Sequence, residues 1–193
     1  MKLKSILLAG VVFAAAAGAA NANEFEPALR DFADKQVRGW VSDASVVAAV
    51  KAQNQETAAF DDQKIDSLDK QWRAETGQDA RPLIDSVLKR QISEYLRAKK
   101  DETQGVVTEI FVMDAKGLNV GQSDVTSDYW QGDEAKWKET FLKGKDAVHV
   151  SEVEQDESTQ AFQSQVSLPV VDPASGEVIG AVTVGVNVEQ LAQ

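Results

Sequence analysis

Between Lys100 and Val106 the hydrophobic period of the chain changes, and this change requires a fold of two unlike parts. Upstream, apolar residues recur three and four positions apart; downstream they alternate with polar ones. Helices followed by strands, rather than the two interleaved, make an α+β chain. Leu29, Phe32, Ala33, Val37 and Trp40 predict a first helix opened by Pro27. Ser42-Asp43 caps a second that carries Val46, Val47 and Val50 inward and ends near Gln55. Asp61-Asp62 opens a third, with Ile65, Leu68 and Trp72 on one stripe and Gly77 stopping it. Pro82 opens a fourth. Its i, i+4 pairs, Leu83 with Val87, Ile84 with Leu88 and Leu88 with Ile92, extend through Tyr95 and Leu96 to Lys99-Lys100.

Beyond Gly105, residues 106–113 are β-branched and aromatic, Asp114-Ala115-Lys116-Gly117 supplies a turn, and residues 118–122 pair back. The connector Ser127-Asp128-Tyr129-Trp130-Gln131-Gly132 is too polar for core and too aromatic for a plain linker. A helix from Gly132 or Asp133 to about Leu142 follows and ends at Gly144. Residues 147–153 alternate as a third strand, and residues 152–157 form an acidic loop. The fourth strand places Phe162, Ser164, Val166, Leu168 and Val170 on one face. After the turn at residues 172–176, residues 178–188 make a fifth strand whose second face, Ala181, Thr183, Gly185 and Asn187, is small enough for close packing. The expected architecture is α+β, five antiparallel strands with a long leading helix and further helices.

The first residues predict export. Lys2 and Lys4 precede an apolar run from Ile6 to Ala17, and Ala20-Asn21-Ala22 fits the small-x-small rule, so cleavage is expected after Ala22. That run is shorter than the roughly 20 residues a membrane span needs. Removing the two lysines leaves 18 basic against 31 acidic residues, a net charge of −13 that opposes binding to nucleic acid. The chain has no cysteine, which excludes disulfides, thiolate metal sites and a cysteine nucleophile. Periplasmic localisation is expected, with residues 1–22 as signal, 23–104 as helical region and 105–193 as the sheet that carries a pocket.

The helix before Val106, the strand-turn-strand EIFVMDAKGLNV, the connector SDYWQGDEAKW and the hairpin QVSLPVVDPASGEVIGAVTVGV together resemble the extracytoplasmic PAS-like sensor family called Cache, or PDC, in its single-module form. These features cover most of residues 82–188, and residues 23–55 resemble the long leading helix of such modules. The resemblance implies a pocket enclosed by the concave sheet face, the connector and its helix. It also implies a signalling role, since such modules sit on chemoreceptors, histidine kinases and cyclases. This chain ends soon after the last strand, so a free-standing periplasmic form that signals through a membrane-bound receptor or kinase is expected. The amino-acid-binding subset has an arginine in the connector and an aspartate on the last strand. Here Ser127-Asp128 precede Tyr129 and Trp130, and Gly185 or Asn187 stands at the strand position.

Five residues are candidates for ligand binding. Tyr129, Trp130 and Trp137 offer flat apolar faces with a polar edge. Lys136 is a cation beside them that can neutralise a carboxylate, and His149, the only histidine, shares a strand face with Ser151. Asp128, Asp133 and Glu134 match no calcium-loop pattern, so no metal and no cofactor is expected. There is no nucleophile-elbow sequence, no His-Glu-x-x-His and no phosphate loop, so the chain is read as a non-enzyme. A sensor of a small organic ligand such as a carboxylate is the leading expectation. The alternative is an envelope interaction protein that keeps the fold without a working pocket. The leading helix is the surface through which two chains would pair.

Overall fold

The computed structural model describes residues 23–155 and 161–192; the expected export signal, residues 1–22, lies outside these residues. The chain opens with α1 (Glu26–Phe32), a π-helical turn (Ala33–Val37) and α2 (Arg38–Val41), which run on from one another. Leu29, Ala33, Val37 and Val41 are all buried at a spacing of four. In a regular helix each such step advances about 40° too far, and a π turn absorbs the accumulated drift of roughly one residue. One face therefore stays on the core for the whole length.

α3 (Ala44–Thr57) is capped by Asp43, which accepts from Ser45 N, and α4 (Asp62–Glu75) by Asp61, which accepts from Lys64 N. The expected fourth helix is two. α5 (Pro82–Leu88) and α6 (Gln91–Asp101) are separated by Arg90, whose backbone is extended. Ile84 and Val87 pack with Ile65, Trp72, Leu118 and Tyr129, whereas Ile92 and Leu96 pack under the sheet. A straight helix could not serve both clusters. The unbroken i, i+4 pattern of the sequence conceals a break that only the existence of two cores explains.

The strands are β1 (Val107–Met113), β2 (Asn119–Gln122), β3 (His149–Val150), β4 (Glu154–Gln155), β5 (Phe162–Val171) and β6 (Val178–Asn187). They form one antiparallel sheet in the order β2-β1-β6-β5-β3, with β4 also on β5. The expected third strand, residues 147–153, is reduced to β3, and β4 forms inside the stretch 152–157 expected to be an acidic loop, because Glu154 and Gln155 pair with Gln163 and Phe162 of β5; an irregular stretch at Ser151–Val153 separates the two. Ser151 bridges the gap: its N–H donates to Gln165 O and its Oγ accepts from Gln165 N. The helix after the connector, α7 (Ala135–Lys138), is shorter than the sequence suggests, because Thr140 Oγ1 takes up the carbonyls of Lys136 and Trp137 and the chain turns there. A final turn, α8 (Val188–Leu191), is capped by Asn187.

One face of the sheet carries Ile110, Val112, Val166, Leu168, Val170, Val182, Val184 and Val186, and these share a core with α1, the π turn, α3 and α6. Helical region and sheet are therefore built on common packing. Among the described residues no helix is long and apolar enough to cross a membrane.

Candidate functional site

The other face of the sheet is graded. Cross-strand register sets out three rows: Met113–Ala181–Pro169, then Phe111–Thr183–Ser167–His149, then Glu109–Gly185–Gln165. The first is apolar, the second mixed and the third polar. α7 covers the apolar end. Trp137 packs on Phe111, Met113 and Ala181, its Nε1 donates to Asp114 O at 3.1 Å, and its ring stacks on Phe141 with centroids 4.8 Å apart. Ala181 is the small residue of β6 in this cluster, and in the polar row Gly185 has the Thr108 and Glu109 side chains where a Cβ would stand. Thr183 and Ser167 satisfy one another at 2.9 Å.

The polar end is left open as a cavity of about 230 Å³, lined by Glu134, Ala135, Lys136, His149, Ser151, Glu154, Gln163 and Gln165. This lies below the roughly 300 Å³ at which pockets for drug-sized molecules begin, so the space suits a small polar molecule. Lys136 is fixed here by Glu134 at 2.8 Å and Gln131 Oε1 at 3.3 Å, with the Phe111 ring centroid 5.4 Å from its Nζ. His149 is half-buried, and that burial holds its imidazole below the usual histidine range; Glu139 opposes the shift while Lys136 and Arg30 add to it. Ser151 Oγ is engaged with Glu152 O and Gln165 N. On the described residues, no three or more His, Asp or Glu side chains cluster to hold a metal ion.

Of the five residues singled out by sequence, the structure brings Lys136 and His149 onto this cavity. The three aromatics are placed elsewhere. Tyr129 is buried against the helices, stacked on Trp72 with centroids 5.3 Å apart. Trp130 packs with the same cluster and donates from Nε1 to Lys116 O, while Trp137 seats α7. The reason is local. Asn119 N bonds Tyr129 O and Gln131 N bonds Gly117 O, so the connector runs along the edge of β2 and turns its aromatic rings toward α4 and α5. Gly117 and Gly132 allow that approach, since a Cβ on Gly117 would lie 2.5 Å from Gly132 Cα.

Sequence reasoning missed the side-chain amides on β5, Gln163, whose Oε1 accepts from Thr108 Oγ1, and Gln165, whose Nε2 donates to Glu109, although their alternation with buried Ser164 and Val166 was legible as a face. It also missed the clamp that holds the connector. Asp69 Oδ1 accepts the N–H groups of Tyr129 and Trp130, and Arg73 bridges Asp69 at 2.7 Å and Asp128 at 2.9 Å. Burial and then Glu134 push the Asp128 carboxyl upward, against the pull of Arg73 and Gln131. A larger depression of about 680 Å³ lies between Phe25, Val153, Phe162 and Val188, and the charged residues lining it are all acidic: Glu24, Glu152 and Glu189.

No protein-family model matches this sequence, and none of the curated proteins does. The chain is similar in structure to the sensor domain of E. coli DcuS, at 15% identity and a TM-score of 0.47, over 86% of this chain and 96% of that one. It is also similar to the ligand-binding domain of the Campylobacter jejuni chemoreceptor Tlp3 in complex with 4-methylisoleucine, at 13% identity, a TM-score of 0.39 and coverage of 86% and 61%. The sensor domain of the V. cholerae histidine kinase DctB gives 13% identity, a TM-score of 0.38 and coverage of 88% and 60%. The chain thus spans about three fifths of the Tlp3 and DctB domains. All three are sensor or ligand-binding domains, the kind the sequence resembles; with TM-scores below 0.5 they assign this chain neither a ligand nor a partner.

Proposed function

We propose that this protein is an exported, non-catalytic sensor module that captures a small polar organic molecule in the cavity between α7 and the sheet and signals through a membrane-bound receptor or kinase. The observation that carries the reading is the convergence of Lys136, from α7, and His149, from β3, on one cavity that Gln163 and Gln165 of β5 also line. A cation and a neutral imidazole offer donors to a carboxylate or hydroxyl. Glu134 and Glu154 stand in the same lining and favour an amine on the ligand, so a molecule bearing both groups matches the cavity best. The carboxylate preference read from sequence becomes a preference for a carboxylate accompanied by a donor.

A thermal-shift and calorimetric screen of the purified protein against short carboxylates, amino acids and amines tests this. Binding to the folded state alone raises the melting temperature by mass action. Lys136→Met is expected to weaken the best hit by roughly tenfold or more, the scale of one lost charge-assisted hydrogen bond; His149→Ala is expected to weaken it too. A hit indifferent to both changes, or none in the library, would overturn the reading.

The cavity should also respond to pH. Acidification through the lowered range of His149 adds a positive charge beside Lys136, so carboxylate affinity is expected to rise and amine affinity to fall, as titration calorimetry at several pH values would show. The effect on the fold runs the other way. A histidine held neutral contributes its stability fully above the ordinary histidine range, and that contribution is lost as pH falls through the folded-state value.

A further inference from the structure

A lysine ammonium has three N–H donors, and on Lys136 two are taken, by Glu134 Oε2 and Gln131 Oε1. One remains for the cavity. Which way the ammonium points therefore depends on Gln131, and Gln131 is not free to choose. It is 1% exposed, and its Nε2 donates to Asp128 O at 3.2 Å and to the Asp128 carboxylate, which turns Oε1 to the lysine. Asp128 is held from its far side by Arg73 Nη2, and Arg73 Nε is held by Asp69. A continuous row of polar contacts thus joins the cavity to the outer surface of α4, where the Arg73 side chain is 55% exposed.

We infer that Gln131 is the positioning residue of the cavity's lysine, oriented in turn by Asp128 and Arg73, so that the cavity and the outward face of α4 are coupled. The geometry stands by itself; its purpose rests on reading the cavity as a ligand site. A ligand that draws Lys136 from Gln131 Oε1 leaves that amide without its lysine partner and loosens its hold on Asp128. The same coupling runs in reverse, so a partner that engages Arg73 alters the lysine. α4 is then the surface on which occupancy is read.

Trace acetylation of the purified protein with limiting acetic anhydride tests this without a known ligand. Each lysine is followed by mass spectrometry, with Lys51 and Lys143 as references. Gln131→Leu removes one of two acceptors and is expected to raise the relative rate at Lys136 by about threefold or more. Gln131→Glu keeps an acceptor and adds charge, so the rate falls below that of the native protein. A merely structural glutamine would not give opposite signs. Arg73→Met, at a surface residue outside the cavity, is expected to raise the rate about twofold, a smaller step on the same scale. Should Gln131→Leu fail to fold, Gln131→Met replaces it with an unbranched chain of similar length. An unchanged Lys136 rate in the Gln131→Leu or Gln131→Met protein, or Gln131→Glu moving the same way, overturns the positioning role; an unchanged rate in Arg73→Met overturns the coupling to α4. If the rates move as expected while no small molecule binds, the sensor reading fails and the positioning of Lys136 stands.

Discussion

Replacing Trp72 with alanine is expected to destabilise the fold by about 3–5 kcal/mol, the usual cost of emptying a fully buried tryptophan site. Trp72 is 0% exposed and is the largest fully buried side chain of the cluster that joins α4 and α5 to the connector. Its loss removes the stack on Tyr129 and leaves Thr126 O without the indole Nε1 donor now 2.9 Å away. Trp72→Phe keeps an aromatic face and should cost less, about 1–3 kcal/mol, most of it the unpaired carbonyl and the smaller ring. Urea unfolding at constant m-value gives the numbers. Amide exchange at Tyr129 and Trp130 locates the damage, because both N–H groups are held by Asp69 on the same helix. Equal costs for the two substitutions would mean that the hydrogen bond, and not the packing, ties connector to helix.

Asp114→Ala is the second large effect, at about 3 kcal/mol or more, since several buried donors lose their acceptor together. Asp114 is 0% exposed. Its Oδ1 accepts from Lys116 N and Leu118 N and so shapes the β1–β2 turn; its Oδ2 accepts from Thr57 Oγ1 and Gln53 Nε2 and so ties that turn to α3. Gln53 Oε1 in turn accepts from Arg90, whose Nη1 also reaches Val120 O. The carboxylate is therefore a joint between turn, α3 and the break that separates α5 from α6. Asp114→Asn preserves the shape and can keep the turn bonds, but it sets an amide against the Gln53 amide; it should fall between native and alanine in the same unfolding experiment. A loss under 1 kcal/mol for alanine, within the range of an ordinary surface change, would show that the joint is not needed.

The legible part of this fold was that governed by local rules. The period change near residue 105 separates helices from strands, the caps at Asp43 and Asp61 are where the sequence puts them, and the alternation in β5 and β6 assigns their faces correctly. Asp114-Ala115-Lys116-Gly117 is a turn, with Gly117 at φ +82. What could not be read were choices between neighbours that local rules treat alike. Leu88 and Ile92 look like one helix until two cores pull on them. Residues 151–153 look like strand until the register with β5 slips.

The site follows the same division. That a lysine beside aromatic residues and a lone histidine would lie on the sheet half of the chain follows from the sequence, because a helix–strand pattern fixes which segments approach one another. Whether an aromatic ring faces a ligand or a core does not follow, because Tyr, Trp and Lys in a connector have no period to betray their direction. Tertiary structure decided it. The connector spends its backbone hydrogen bonds on the edge of β2 and on Asp69, which turns Tyr129 and Trp130 to the helices and leaves Lys136, one residue from the seat of Trp137, to meet His149 across the sheet.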